Sequence, residues 1–205
     1  MNMDAQRRKL LGLASLAPAL AIAGQDTTMA RPPAGSRLVL TDFQTPEPVM
    51  IDNCAWRGFS DRVMGGVSDG NVATATVAGK RSLRMTGRVT RDSGGGFIQM
   101  AMYLGGRGDA FDASAYSGLE FLVYGNNEDY NIHIRTTDVR WHSQSYRATF
   151  YAEPRWQTIR LPWSAFKPNQ IETPLDVSGI QRIGLLGWMR EFEADLSVGE
   201  VALYA

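Results

Sequence analysis

The sequence predicts an all-β protein built as an antiparallel two-sheet sandwich or jelly roll. Apolar residues recur at every second position in segment after segment from residue 37 onward, the pattern of strands with one buried face. Glycine is abundant, at 21 residues, and suits the turns such a fold requires. No long amphipathic helical stripe crosses this region, and Pro154, Pro162, Pro168 and Pro174 would interrupt one. Many short strands without alternating helices argue for a sandwich over an α/β fold.

Residues 1–23 read as an address rather than as part of the fold. The basic cluster Arg7, Arg8 and Lys9 precedes a short apolar run from Leu10 to Ala23, which ends in Ala21-Ile22-Ala23. Basic end, apolar middle and small-residue exit describe a secretory signal, with cleavage expected after Ala23. The run is too short for a stable membrane span. Gln6-Arg7-Arg8-Lys9-Leu10-Leu11 resembles a twin-arginine export signal, with Gln6 where Ser or Thr is usual. The expected location is therefore periplasmic, or otherwise outside a bacterial cytoplasm. Residues 24–36, polar and carrying Pro32-Pro33, read as a flexible lead-in. A single sandwich domain is expected over residues 37–205.

Within that domain the expected strands are 37–43, 71–77, 82–89, 97–104, 119–124, 130–135, 145–151, 156–161, 180–186 and 196–204. The alternation assigns faces as well. Leu119, Phe121 and Val123 point one way, as do Tyr130, Ile132 and Ile134, and Tyr146, Ala148 and Phe150. His133 and Arg135 then stand on the opposite face beside Arg147 and Tyr151, with Trp141 and His142 in the intervening loop. Guanidinium and aromatic groups on one sheet face can stack on and hydrogen-bond a ligand.

Charge and composition exclude several classes. The chain has 21 basic and 21 acidic residues, so it lacks the basic balance of a nucleic-acid binder. Removal of residues 1–23 takes Arg7, Arg8, Lys9 and Asp4 with it and leaves a net charge of −2. Cys54, the single cysteine, cannot form an intrachain disulfide and reads as a small buried hydrophobe. Two histidines, His133 and His142, show no metal-ligand spacing, so no metal and no cofactor are expected.

Gly66-Val67-Ser68-Asp69-Gly70 fits the G-x-S-x-G nucleophile elbow, but a strand pattern follows where the elbow needs a helix. Ser68 is therefore not expected to be a nucleophile, and no catalytic residues are assigned. Gly94-Gly95-Gly96 reads as a permissive turn, and Arg107-Gly108-Asp109 as a chance tripeptide. The most unusual stretch runs from Asp61 to Ser68, just after Trp56. It reads either as a tight turn capped by Asp61 or as a binding loop at the sandwich rim. Trp56, Asp61, Arg62, Met64, Gly65 and Gly66 are its candidate binding residues, with Gly65 and Gly66 expected at backbone angles that favour glycine.

Trp56-Arg57 followed by Ser60-Asp61-Arg62-Val63-Met64-Gly65-Gly66-Val67-Ser68 resembles the complex I intermediate-associated protein 30 family. Gly94-Gly95-Gly96-Phe97, Tyr116-Ser117-Gly118-Leu119, Tyr146-Arg147-Ala148-Thr149-Phe150, Trp156 to Trp163 and Ile180-Gln181-Arg182-Ile183-Gly184 continue it in order, over about residues 40–204. The resemblance implies a galactose-binding-domain-like jelly roll and a non-catalytic assembly-factor role through protein–protein contacts. Asn126-Asn127 and Glu191 depart from the family pattern. The export signal also separates this chain from the intracellular setting of such assembly factors. The alternative is an exported carbohydrate-binding module, suggested by the fold type and by Trp141, Trp163 and Trp188, which read as exposed. A protein partner, with a glycan as the alternative ligand, is the expectation. His133, Arg135, Trp141 and Arg147 complete the candidate binding residues.

Overall fold

The computed structural model describes residues 33, 35–44, 49–50, 55–104 and 110–205. The expected export signal, Cys54, the Arg107-Gly108-Asp109 tripeptide and most of the lead-in lie outside the described residues. Among the described residues thirteen strands form two antiparallel sheets, and the helical content is four short 3-10 turns. The protein is an all-β antiparallel jelly-roll sandwich of galactose-binding-like type.

The seven-stranded sheet contains β1 (Arg37–Asp42), β2 (Val49–Met50), β4 (Asp69–Val77), β5 (Lys80–Val89), β7 (Gly118–Tyr124), β10 (Gln157–Pro162) and β13 (Phe192–Tyr204). The six-stranded sheet runs in the order β11 (Lys167–Asn169), β9 (Ser145–Ala152), β8 (Glu128–Thr136), β12 (Ile180–Trp188), β6 (Phe97–Tyr103) and β3 (Ala55–Ser60).

Strand β13 organises the first sheet. Along one edge it pairs with β7; along the other it pairs first with β5 and then with β1. A register shift between Val198 and Glu200 accompanies that change of partner. Ala194, Leu196 and Val198 are buried before the shift, and Val201 and Leu203 after it. The extra residue resets the two-residue period, so apolar side chains stay on the inner face along the whole strand.

The inner faces agree with the alternation in the sequence. Leu119, Phe121, Val123, Tyr130, Ile132, Ile134, Tyr146, Ala148 and Phe150 are all buried in one core. Phe121 of one sheet meets Phe150 of the other edge-on, with ring centroids 5.0 Å apart. Burying a large apolar side chain of this kind contributes about 1.5–3 kcal/mol. The core therefore fixes which face of β8, β9 and β12 is left to point outward.

Three strands were not expected from the sequence: β2, β3 and β11. In β3, Trp56 packs against the core beside Phe43, at 5.8 Å, while Gly58 lies against Val72 of β4. Gly58 shares the inward face with Trp56 but has no side chain, so β3 shows no apolar alternation in the sequence. Strands β2 and β11 span two and three residues and are too short to show a period.

Candidate functional site

The outer face of the six-stranded sheet holds a groove of about 770 Å³. Its floor is made by outward residues of five neighbouring strands: Phe59 of β3, Phe97 and Gln99 of β6, Arg182, Leu186 and Trp188 of β12, His133 and Arg135 of β8, and Ser145 and Arg147 of β9. Val63 and Met64 form one rim with Met189. His142, Ser143, Gln144 and Gln170 form another part of the wall.

The register of the central strands sets the charges side by side. Arg182 stands directly opposite Arg135, and His133 lies between Gly184 on one side and Arg147 on the other. Like charges directly opposite destabilise a sheet. Among the described residues none of Arg135, Arg147 and Arg182 is ion-paired, although seven other arginine–carboxylate contacts occur. Among the described residues no Asp or Glu lines the groove.

These guanidiniums are held by carbonyls, hydroxyls and rings instead. Arg135 donates to the carbonyls of Trp141 (3.0 Å) and His142 (3.4 Å). Arg147 donates to Ser145 Oγ at 2.8 Å and covers the Trp188 ring, 4.6 Å from its centroid. Arg182 donates to the Tyr103 hydroxyl at 3.2 Å and lies 5.6 Å from both the Phe59 and Tyr103 ring centroids. Such stacking supports a cation but leaves its charge uncompensated. Burial pulls the pKa of Arg135 and of Arg147 down, and Arg182 adds to the effect at Arg135.

His133 sits among them, buried at 7% exposure, with its ring edge-on to Trp188 at 5.0 Å. Burial, then repulsion by Arg147, Arg182 and Arg135, pulls its pKa down to about 3. The imidazole is neutral at ordinary pH. Its Nε2 and the Nε of Arg182 are buried without a hydrogen-bond partner among the described residues.

One end of the groove is built by the Asp61 loop. Asp61 begins a 3-10 turn (Asp61–Met64) capped by Ser60, and its side chain is fully buried. The carboxylate accepts from the backbone N–H groups of Ser68 (2.9 Å), Gly96 (2.6 Å) and Phe97 (3.2 Å), and from the Ser68 hydroxyl (2.5 Å). Burial alone would raise the Asp61 pKa, but these bonds reverse the effect and hold it below the usual carboxylate value. The carbonyl of Gly96 accepts from Met189 N at 2.6 Å, so three loops meet at this knot.

The structure thus divides the residues singled out in the sequence. His133, Arg135, Arg147 and Met64 line the groove. Asp61 forms the knot behind the rim. Arg62 points away from the groove lining, donating to Ser68 O at 3.0 Å and lying 3.5 Å from Asp69. Gly65 takes a left-handed φ of +89°; Gly66 is correctly a glycine for a different reason than expected. Its φ is not positive, and a side chain there would collide with Asp61. Trp56 packs on the core and donates to Thr41 Oγ1 at 3.4 Å. Trp141 is exposed outside the groove lining, while its carbonyl holds Arg135. Trp163 is half-buried against the core and donates to Tyr116 O at 2.8 Å, contrary to the exposed reading. Ser68 is fully buried and followed by β4, without the helix an elbow requires.

The complex I intermediate-associated protein 30 family model matches residues 41–198. The chain belongs to this family. No curated protein sequence matches it. Among solved structures, this family member is similar to the family 11 carbohydrate-binding module of a cellulosomal cellulase of Clostridium thermocellum, with a TM-score of 0.64 and 15% identity over 84% of this chain and 96% of that one. The same type of module in complex with a β-1,3-1,4-mixed-linked tetrasaccharide gives a TM-score of 0.63 at 15% identity, with the same coverage. A family 30 carbohydrate-binding module of a Clostridium thermocellum cellulosomal cellulase gives 0.58 at 15% identity, over 82% of this chain and 98% of that one. At these identities the likeness shows a shared fold.

Gln99, Arg182 and Trp188 are among the floor residues that the sequence did not assign to the site with His133. Gly184 lacks the side chain that would occupy the space of the Gln99 amide, which fixes Gln99 over β12. Alternation in residues 180–186 places Arg182 opposite Ile183 in facing, which is a signal for an outward arginine but not for its neighbours.

Proposed function

We propose that this protein is a non-catalytic binding protein whose ligand, a saccharide, seats in the groove across β3, β6, β12, β8 and β9. One observation carries this reading. The floor strands β6, β12, β8 and β9 are paired on both sides, with only β3 at the sheet edge, so the backbones beneath the middle of the groove are already committed and side chains must read a ligand there. An extended peptide that adds a strand needs an open edge. A saccharide needs the opposite: several side-chain donors and acceptors around a partly apolar floor. Gln99, Gln144, Gln170, Ser143 and the arginines supply the first, and Leu186, Phe97 and Trp188 the second. The carbohydrate-binding modules of similar fold support the same reading, as does the complex with a tetrasaccharide.

A second reading follows from family membership, a protein client bound in the manner of an assembly factor. The observation that favours it is the rim, where Val63, Met64 and Met189 are 69%, 53% and 44% exposed. Exposed apolar residues clustered beside a polar groove suit a protein contact. Screening the purified chain against soluble polysaccharides by affinity electrophoresis, with a Trp188→Ala variant alongside, tests the first reading. Retardation by a polysaccharide, lost in the variant, supports it. Capture of one protein client, abolished by Met64→Glu with Met189→Glu and accompanied by no saccharide retardation, favours the second.

The proposed setting is outside the cytoplasm, after cleavage following Ala23. The basic, apolar and small-residue sequence of residues 1–23 supports it. No helix among the described residues is long and apolar enough to cross a membrane. N-terminal sequencing of protein recovered from the cell envelope tests this, and an intact Met1 in a cytoplasmic pool would overturn it.

A further inference from the structure

We infer that the groove selects an acidic saccharide, with a uronate carboxylate held among Arg135, Arg147 and Arg182. This rests on the saccharide reading above and deepens it. Three independent features of the site lead there.

The first is uncompensated charge. Arg135 and Arg182 face each other across β8 and β12, and Arg147 flanks His133 on β9. No described carboxylate pairs with any of them, and none lines the groove. Placing three half-buried cations together is unfavourable without an anion, and an incoming carboxylate relieves that cost. A guanidinium is also the group whose planar fork fits a carboxylate with two hydrogen bonds.

The second is the state of the aromatic rings. A neutral sugar ring stacks on an open aromatic face. Here Arg147 already covers Trp188 at 4.6 Å, and Arg182 lies over Phe59 and Tyr103. Arg57 lies 5.4 Å from the Tyr103 ring as well. The groove therefore presents guanidinium edges where a neutral platform would present rings. The third is unpartnered polarity at the centre. His133 is more than nine-tenths buried, and its Nε2 is unpartnered, like Arg182 Nε. Both belong to residues that line the groove, where ligand oxygens can complete them.

The test uses the full chain and polymers that differ in charge. Affinity electrophoresis and calorimetry compare polygalacturonate, the same polymer after near-complete methyl esterification, a neutral mixed-linked β-glucan and poly-L-glutamate. Binding to polygalacturonate, weakened at least tenfold by esterification and weakened by salt, is the expected result. Arg135→Gln and Arg147→Gln should each weaken it at least tenfold, with circular dichroism unchanged. Arg147→Lys keeps the charge but not the fork, and should fall between wild type and Arg147→Gln. If the glutamine variants fail to fold, the esterification comparison on wild type still decides. Binding to the β-glucan, or equal binding to both forms of the galacturonan, overturns the acidic specificity while leaving the saccharide reading standing. Binding to poly-L-glutamate alone, or to none of the four, overturns both.

Discussion

Replacing Asp61 with alanine tests whether the 60–68 loop is scaffold. Its carboxylate accepts four hydrogen bonds, three from backbone N–H groups in two separate segments, and is fully buried. Asp61→Ala leaves the Ser68, Gly96 and Phe97 N–H groups without that acceptor, and a buried unsatisfied donor costs about 1–3 kcal/mol. The expected loss is about 3–4 kcal/mol, a large share of a typical stability of roughly 5–15 kcal/mol. At about 2–4 °C per kcal/mol for a chain of this size, the melting temperature should fall by roughly 6–16 °C. Ser68→Ala removes one donor to Asp61 and the acceptor of the Thr90 N–H, and should cost about 1–3 kcal/mol. Arg62→Ala, at an exposed pair with Asp69, should cost at most about 0.5 kcal/mol. Chemical denaturation of the three variants provides the measurement. An Asp61→Ala loss below about 1 kcal/mol, or an Arg62→Ala loss as large as that of Asp61→Ala, would refute the account of the knot.

Three further outcomes are expected. His133 has a folded pKa near 3 against an ordinary value of 6.5, so below pH 6.5 the unfolded chain binds the extra proton. Its contribution is complete above pH 6.5 and falls as pH drops towards 3, by at most about 1.4 kcal/mol per pH unit. The difference in pH slope between wild type and His133→Phe, measured by denaturant titration at pH 6 and pH 4.5, should carry that sign. Asp61 acts at lower pH: its depressed pKa means that its stabilisation is present above the ordinary carboxylate value and is lost as pH falls through the folded one. Gly66→Ala should destabilise more than Gly65→Ala. The first forces a side chain into Asp61, whereas the second meets open space and only the left-handed φ, worth about 1–2 kcal/mol.

The core was legible in the sequence because strand parity is local. Each of residues 119–124, 130–135 and 145–151 announces its buried face within a few residues, and the structure buries those faces. Half of the groove was legible for the same reason. His133, Arg135 and Arg147 belong to β8 and β9, neighbours in sequence as well as in the sheet, so a short loop implied their pairing. Arg182 was hidden by topology. Its strand inserts between β8 and β6, two segments far apart in the chain, and nothing local specifies that order. The Asp61 loop was hidden in another way. Glycines at 66 and 95 look alike as turn residues, and only the fold reveals that each makes room for one carboxylate.

That distinction bears on where family likeness ends and ligand choice begins. The segment from Ser60 to Ser68 supplies the knot and a rim, so its sequence is explained by stability and loop placement. The segments Tyr146-Arg147-Ala148-Thr149-Phe150 and Ile180-Gln181-Arg182-Ile183-Gly184 carry two roles at once. Tyr146, Ala148, Phe150 and Ile183 build the core, while Arg147 and Arg182 reach the groove from the other face of the same strands. A slip of one residue in either strand would turn an arginine into the core and an apolar side chain into the groove. Packing therefore fixes the arginines' positions without any requirement on their chemistry. The core would accept other outward side chains here, and a set of cations with no carboxylate partner among the described residues, around a neutral histidine, is a costly choice that the core does not demand. On the proposed reading, their presence answers to an acidic ligand.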